Sequence, residues 1–90
     1  MSKPNDIVIY TTFMCPYCAR AKSLLEKKGQ TYNEIDVTYD AAQRDEMTRK
    51  AGGKRTVPQI WINGAHVGGC DDLYALDRAG KLDPMLNAAA

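Results

Sequence analysis

Residues 7 to 11 read IVIYT, apolar at nearly every position and rich in β-branched and aromatic side chains, with Asn5 and Asp6 before and a Cys-Pro turn after. A short unbroken run bounded by turn formers predicts a buried strand. The period then changes. PYCARAKSLLEKK, 16 to 28, spaces apolar side chains at Ala21, Leu24 and Leu25, opens on proline and ends in lysines before Gly29. Proline suits a first helical position, which needs no N–H, and glycine ends helices, so this stretch predicts a helix. TYNEIDV, 31 to 37, alternates and predicts a second strand, while YDAAQRDEMTRKAGG, 39 to 53, is helix-compatible, with Asp40 as cap and Gly52-Gly53 as stop.

TVPQIWI, 56 to 62, then Asn63-Gly64 and AHVGG predict a hairpin, because Asn-Gly supplies the positive φ angles of a tight two-residue turn. CDDLYALDRAGKLDPML, 70 to 86, closes the pattern with one or two helical segments, for which Asp71 and Asp72 are suited starters. Leu73, Leu76, Leu82 and Leu86 fall at helical spacings and read as packing, as do Tyr10 and Trp61 in their strands. The order is β, α, β, α, β, β, α: a parallel first pair joined by a helix, then an antiparallel hairpin. That implies an α/β fold with a four-stranded mixed sheet flanked by helices.

At 90 residues the chain is expected to be one domain over 1–90, with a frayed alanine end at 88–90. A net charge of +1 gives no general case for nucleic acid or an acidic membrane. There is no long apolar run, and MSKPNDIVIYT lacks the basic-then-apolar layout of a secretory signal, so the expectation is a soluble cytoplasmic protein; a monomer is expected as well. The basic residues Arg20, Lys22, Lys27 and Lys28 read as the solvated face of the first helix, and His66 as a surface residue.

Three cysteines suit a secreted disulfide framework poorly, and Cys15 and Cys18 form a CxxC between strand and helix. Three readings are open. Zinc could use Cys15, Cys18, His66 and Cys70, although the span between reads as ordered strands and helices rather than a short metal-closed loop. A structural disulfide would staple a chain that needs no staple. A reactive pair fits the placement best: at a helix start the Cys15 sulfur meets unpaired N–H groups and the positive end of the dipole, which favours thiolate over thiol. Cys18, about one turn deeper, is placed to resolve a mixed disulfide on Cys15. Pro16 helps fix the helix start, and Tyr17 sets an aromatic ring beside the sulfur.

CPYC after a strand, TVP before QIWING, and GGCDDLYALDRAGKLDPML, in this order and spacing, resemble a dithiol glutaredoxin of the bacterial glutaredoxin 3 type over essentially the whole chain. A thioredoxin would show Trp-Cys-Gly-Pro-Cys, which is absent. The resemblance implies a thioredoxin-like fold with a cis bond before Pro58. It implies a glutathione-dependent thiol-disulfide oxidoreductase with Cys15 and Cys18 catalytic, no bound cofactor or metal, and glutathione as reducing co-substrate. Tyr17, Thr56, Val57, Pro58, Gly69, Cys70 and Asp71 are the implied glutathione contacts: the Val57 backbone for its cysteinyl part, the N–H groups of Cys70 and Asp71 and the Asp71 carboxylate for its γ-glutamyl end.

Many glutaredoxins carry lysine three residues before the first cysteine, where this chain has Thr12. Arg44 and Arg55 are the expected replacements for the glycyl carboxylate, although KAGGKRTVP is one residue longer than in close relatives. Expected partners are glutathionylated or disulfide-bonded proteins, ribonucleotide reductase being a family-level candidate. Cys70 is expected to be a partly buried, non-essential thiol. The alternative is a carrier of an iron-sulfur cluster bridged through Cys15 and glutathione, which an intact Cys18 and the stiff Pro16 disfavour.

Overall fold

In a computed structural model, which describes residues 4–87, the predicted first strand forms as β1 (Ile7–Thr11) and lies inside the sheet. It pairs in parallel with β2 (Asn33–Asp36) and antiparallel with β3 (Gln59–Ile62), which pairs antiparallel with β4 (Ala65–Gly68). The sheet order is β2-β1-β3-β4. The alanine end, 88–90, lies outside the described residues.

The unbroken apolar run of β1 follows from cover on both faces. Ile7 and Ile9 join Ile60 and Ile62 in the larger cluster, packed against Ala21, Leu24 and Leu25 of α1 (Pro16–Lys27) and Leu73 of α3 (Cys70–Arg78). Leu82 and Leu86 of α4 (Leu82–Asn87) complete it. On the other face Tyr10, Val37 and Met47 of α2 (Ala41–Lys50) form a smaller cluster with Trp61 packed against it. Tyr10 and Trp61 meet edge to face, ring centroids 5.5 Å apart. Burying one such aliphatic side chain is worth about 1.5–3 kcal/mol, so the α1/α3/α4 face carries most of the cohesion.

The ends of elements move inward from their predicted limits for local reasons. β3 starts at Gln59 and not at Thr56, since Pro58 has no N–H for a ladder; the Val57-Pro58 bond is cis. α2 starts after Asp40, whose carboxylate accepts from the Gln43 N–H at 3.0 Å. The hairpin turn forms as predicted, with Asn63 and Gly64 at φ 50 and 83. The closing segment divides into α3 and α4 around Gly80, at φ 71.

One expectation needs correcting. Arg20 and Lys27 are exposed, but Lys22 and Lys28 are not simply solvated. Lys28 Nζ bridges Asp77 at 2.8 Å and Asp83 at 3.0 Å, tying the end of α1 to α3 and α4, while Lys22 pairs with Glu34 at 3.1 Å. No helix among the described residues is long and apolar enough to cross a membrane.

Candidate active site

Cys15 is the N-cap of α1, with Pro16 at the first helical position. The first-turn N–H groups have no intrahelical partner, and one of them, on Cys18, donates to Cys15 Sγ at 3.1 Å. A donor aimed at that sulfur stabilises the charge it carries when its disulfide opens. Cys15 is half-buried, whereas Cys18 is 2% exposed. The two are joined in a disulfide, with Cα atoms 5.2 Å apart. Of the two joined residues, Cys15 is the one open to solvent and Cys18 is enclosed.

The segment before β3 passes close to this pair, the Val57 carbonyl oxygen lying 4.0 Å from Cys15 Sγ. Tyr17, Thr56, Val57, Pro58, Gly69, Cys70 and Asp71, chosen from the sequence as glutathione contacts, line one open cleft of about 410 Å³. Lys54, Gln59 and Asp72 line it too. The cleft thus runs from Tyr17 at the start of α1, past the Thr56–Pro58 segment, to the start of α3.

Each wall has a local cause. Gln59 is a buried polar residue, 1% exposed, whose Nε2 donates to the Thr56 carbonyl at 3.0 Å and lies 3.2 Å from Thr56 Oγ1. Its Oε1 lies 2.8 Å from His66 Nε2. The Gln59 amide thereby holds Thr56 in place and, with its N–H groups spent there, accepts from His66. At the far end Asp72 Oδ2 accepts from the Gly69 N–H at 2.9 Å, and the next N–H groups, at the start of α3, have no intrahelical partner. Gly68 has φ 113, and a Cβ there would run into the Asp72 carboxylate. Only glycine fits.

Arg44 and Arg55 do not line the cleft. Arg55 Nη1 pairs with Asp45 at 2.8 Å, and Arg44 Nη2 donates to the Arg55 carbonyl at 2.9 Å. Both brace the segment leading to Thr56. The cation that does line the cleft is Lys54, which sequence reasoning passed over because Arg55 stands closer to TVP. Gln59 was also missed; a polar residue at the head of the apolar run QIWI was the available signal. Cys70 is buried in the larger cluster, more deeply than expected, and burial pushes its thiol up.

The zinc set does not assemble. His66 stacks on Trp61 at 4.6 Å, on the face of the sheet covered by α2, while Cys70 belongs to the opposite cluster. Among the described residues no three of His, Cys, Asp and Glu converge on a metal position.

The glutaredoxin family model matches residues 7–67. The chain belongs to the glutaredoxin family. It is 60% identical over 82 residues to a glutaredoxin of Pseudomonas aeruginosa, covering 91% of this chain and 96% of the relative. It is 53% identical over 81 residues to glutaredoxin 3 of Escherichia coli K12, covering 90% and 96%. Among solved structures, a buckwheat glutaredoxin-glutathione complex superposes with a TM-score of 0.86 at 35% identity, covering 94% of this chain and 79% of that one. The four-stranded mixed sheet with flanking helices is the thioredoxin-like fold, as the motifs implied. Glutaredoxins are thiol-disulfide oxidoreductases that use glutathione, and that is the activity of the chain.

Proposed function

We propose that Cys15 is the nucleophile and Cys18 the resolving thiol. The thiolate of Cys15 attacks the glutathione sulfur of a glutathionylated protein; the protein leaves as thiolate, and Cys15 carries the glutathionyl group. A second glutathione thiolate attacks that group, releasing oxidised glutathione and restoring the Cys15 thiolate. With a protein disulfide, Cys15 forms the mixed disulfide, Cys18 displaces the protein thiol, and two glutathiones reopen the Cys15–Cys18 bond. The observation that carries this assignment is the half-buried Cys15 sulfur receiving the Cys18 N–H while Cys18 is shut inside.

In this reading glutathione lies along the cleft. The Val57 backbone pairs with its cysteinyl amide, the first-turn N–H groups at Cys70 and Asp71 receive the γ-glutamyl carboxylate, and the Asp71 carboxylate meets the ammonium. Lys54 supports the glycyl carboxylate, with Arg44 and Arg55 bracing the loop. Thr56 and Tyr17 wall the central part. The finer assignments of a monomer, a cytoplasmic setting and ribonucleotide reductase as one protein substrate rest on family resemblance and on a CxxC that must be reset by a reducing thiol.

The test is turnover of a glutathionylated peptide with glutathione as reductant. Cys15→Ser is expected to abolish turnover and Cys18→Ser to keep it, while Cys18→Ser loses reduction of protein disulfides. Activity surviving in Cys15→Ser would overturn the assignment.

A further inference from the structure

A second groove opens beside Cys15 toward β2, sharing no lining residue with the glutathione cleft. Phe13, Met14, Cys15 and Pro16 form its rim, with Lys22, Glu34 and Asp36 below. An adjoining groove continues from Phe13 and Asp36 to Tyr39 and Asp40. The large apolar side chains exposed among the described residues are Phe13 (70%), Met14 (81%), Tyr17 (55%) and Tyr39 (96%). Three line these two grooves, and the fourth lines the glutathione cleft. Exposed apolar side chains that follow adjoining grooves, one of which holds the Cys15 sulfur, mark a contact face.

The charge of the face points to its occupant. Glu34 is offset by Lys22, at 3.1 Å, and by the Thr11 hydroxyl at 2.7 Å. Among the described residues neither Asp36 nor Asp40 has a cation within salt-bridge distance; Thr38 donates to Asp36 through both its N–H and its hydroxyl, and Gln43 does the same for Asp40 through its backbone and side-chain N–H groups. These neutral donors, with a smaller pull on Asp36 from the Lys22 charge, hold both carboxyls below the usual range, so they are ionised at neutral pH. Thr38 Oγ1 also accepts from the Phe13 N–H at 2.6 Å, fixing the aromatic rim against the acidic floor. A chain with net charge +1 thus presents a locally negative, apolar-rimmed groove that reaches its nucleophile.

We propose that this groove docks the polypeptide flank of a protein substrate: an extended segment with an apolar side chain against Phe13 and Met14 and a lysine or arginine facing Asp36 and Asp40. It deepens, and rests on, the assignment of Cys15 as nucleophile. The bond chemistry is unchanged. Glutathione occupies one side of Cys15, and the protein thiol to be released arrives from the other.

The test compares kcat/KM for two glutathionylated peptides of equal length, one with Phe and Lys beside the cysteine and one with Ser and Glu, and for the mixed disulfide of glutathione with 2-mercaptoethanol. Wild type is expected to favour the Phe/Lys peptide about tenfold, the low end of electrostatic steering. Asp36→Asn with Asp40→Asn, which removes both charges and leaves one acceptor oxygen each for the Thr38 donors and the Gln43 backbone N–H, is expected to reduce that preference to about twofold or less, with the apolar contact left. Phe13→Ser is expected to remove the apolar part, and turnover of the small disulfide is expected to stay unchanged in every variant, showing that each is folded. Equal kcat/KM for the two peptides in wild type, or a preference that survives these substitutions, overturns the docking face. No turnover of the small disulfide by wild type would instead sink the oxidoreductase chemistry itself.

Discussion

The two sides of Cys15 are built from different materials. Toward β3 and α3 the cleft is bounded by two backbone segments that the fold pins: the Thr56–Pro58 segment, held by the buried Gln59 amide, and the first turn of α3, held by Asp72 on Gly69. Toward β2 the groove is made of side chains, Phe13 and Met14 above carboxylates that meet solvent. Backbone in a fixed place suits a ligand that never changes, as glutathione does. Side chains on a surface suit a set of partners that share a charge and a rough shape. On the proposed reading, the contrast lets one sulfur serve an invariant reductant from one side and variable substrates from the other.

Substitutions that disturb the backbone-built side should act on every substrate, and the first would break the contrast outright. Gly68→Ala forces a side chain into a left-handed conformation and against the Asp72 carboxylate; the expected cost is about 2–3 kcal/mol, a fall in Tm on the order of 10 °C or more. The KM for glutathione should rise severalfold with it. An unchanged Tm and KM would mean that the start of α3 can shift freely, and the backbone-built description would fail.

Gln59→Leu keeps the volume but strands the Thr56 carbonyl, at a cost of about 1–2 kcal/mol. Its signature is a higher KM for glutathione with the peptide preference intact, read from steady-state kinetics on both peptides. If the peptide preference changes instead, the two sides are coupled and the comparison must be redrawn.

The smallest effect is on acid stability. Asp36 and Asp40 bind protons less readily folded than unfolded, chiefly through hydrogen bonds from Thr38 and Gln43. Their contribution is therefore complete above the usual carboxylate range and is lost as pH falls below it. A Tm-against-pH series should decline less steeply on the acid side in Asp40→Asn than in wild type. Identical slopes would show that the cap does not depend on ionisation.

Much of this was legible beforehand because local rules and tertiary packing agree. The run at 7–11, the Asn63-Gly64 turn and the proline-led helix at 16 each obey one local rule that the sheet then reinforces. The cleft residues Tyr17, Val57 and Asp71 came from motif resemblance, and the structure brings them together. What stayed hidden depends on pairing between distant segments. Arg55 pairs with Asp45, ten residues away, while Lys54 lines the cleft. The extra residue in KAGGKRTVP removes the simple offset that would have told them apart. Lys28 is a strap and not a solvated charge because Asp77 and Asp83 arrive from the far end of the chain.

The bond between Cys15 and Cys18 spans a sequence separation of three, inside a single turn. Closing so short a loop removes little freedom from an unfolded chain, far less than a link between distant segments would. The architecture is therefore indebted to its clusters of Ile, Leu and Met side chains and hardly at all to its disulfide. Such a protein can be emptied and refilled with electrons many times over while its scaffold stays assembled, which is what separates a working dithiol from an ornamental one.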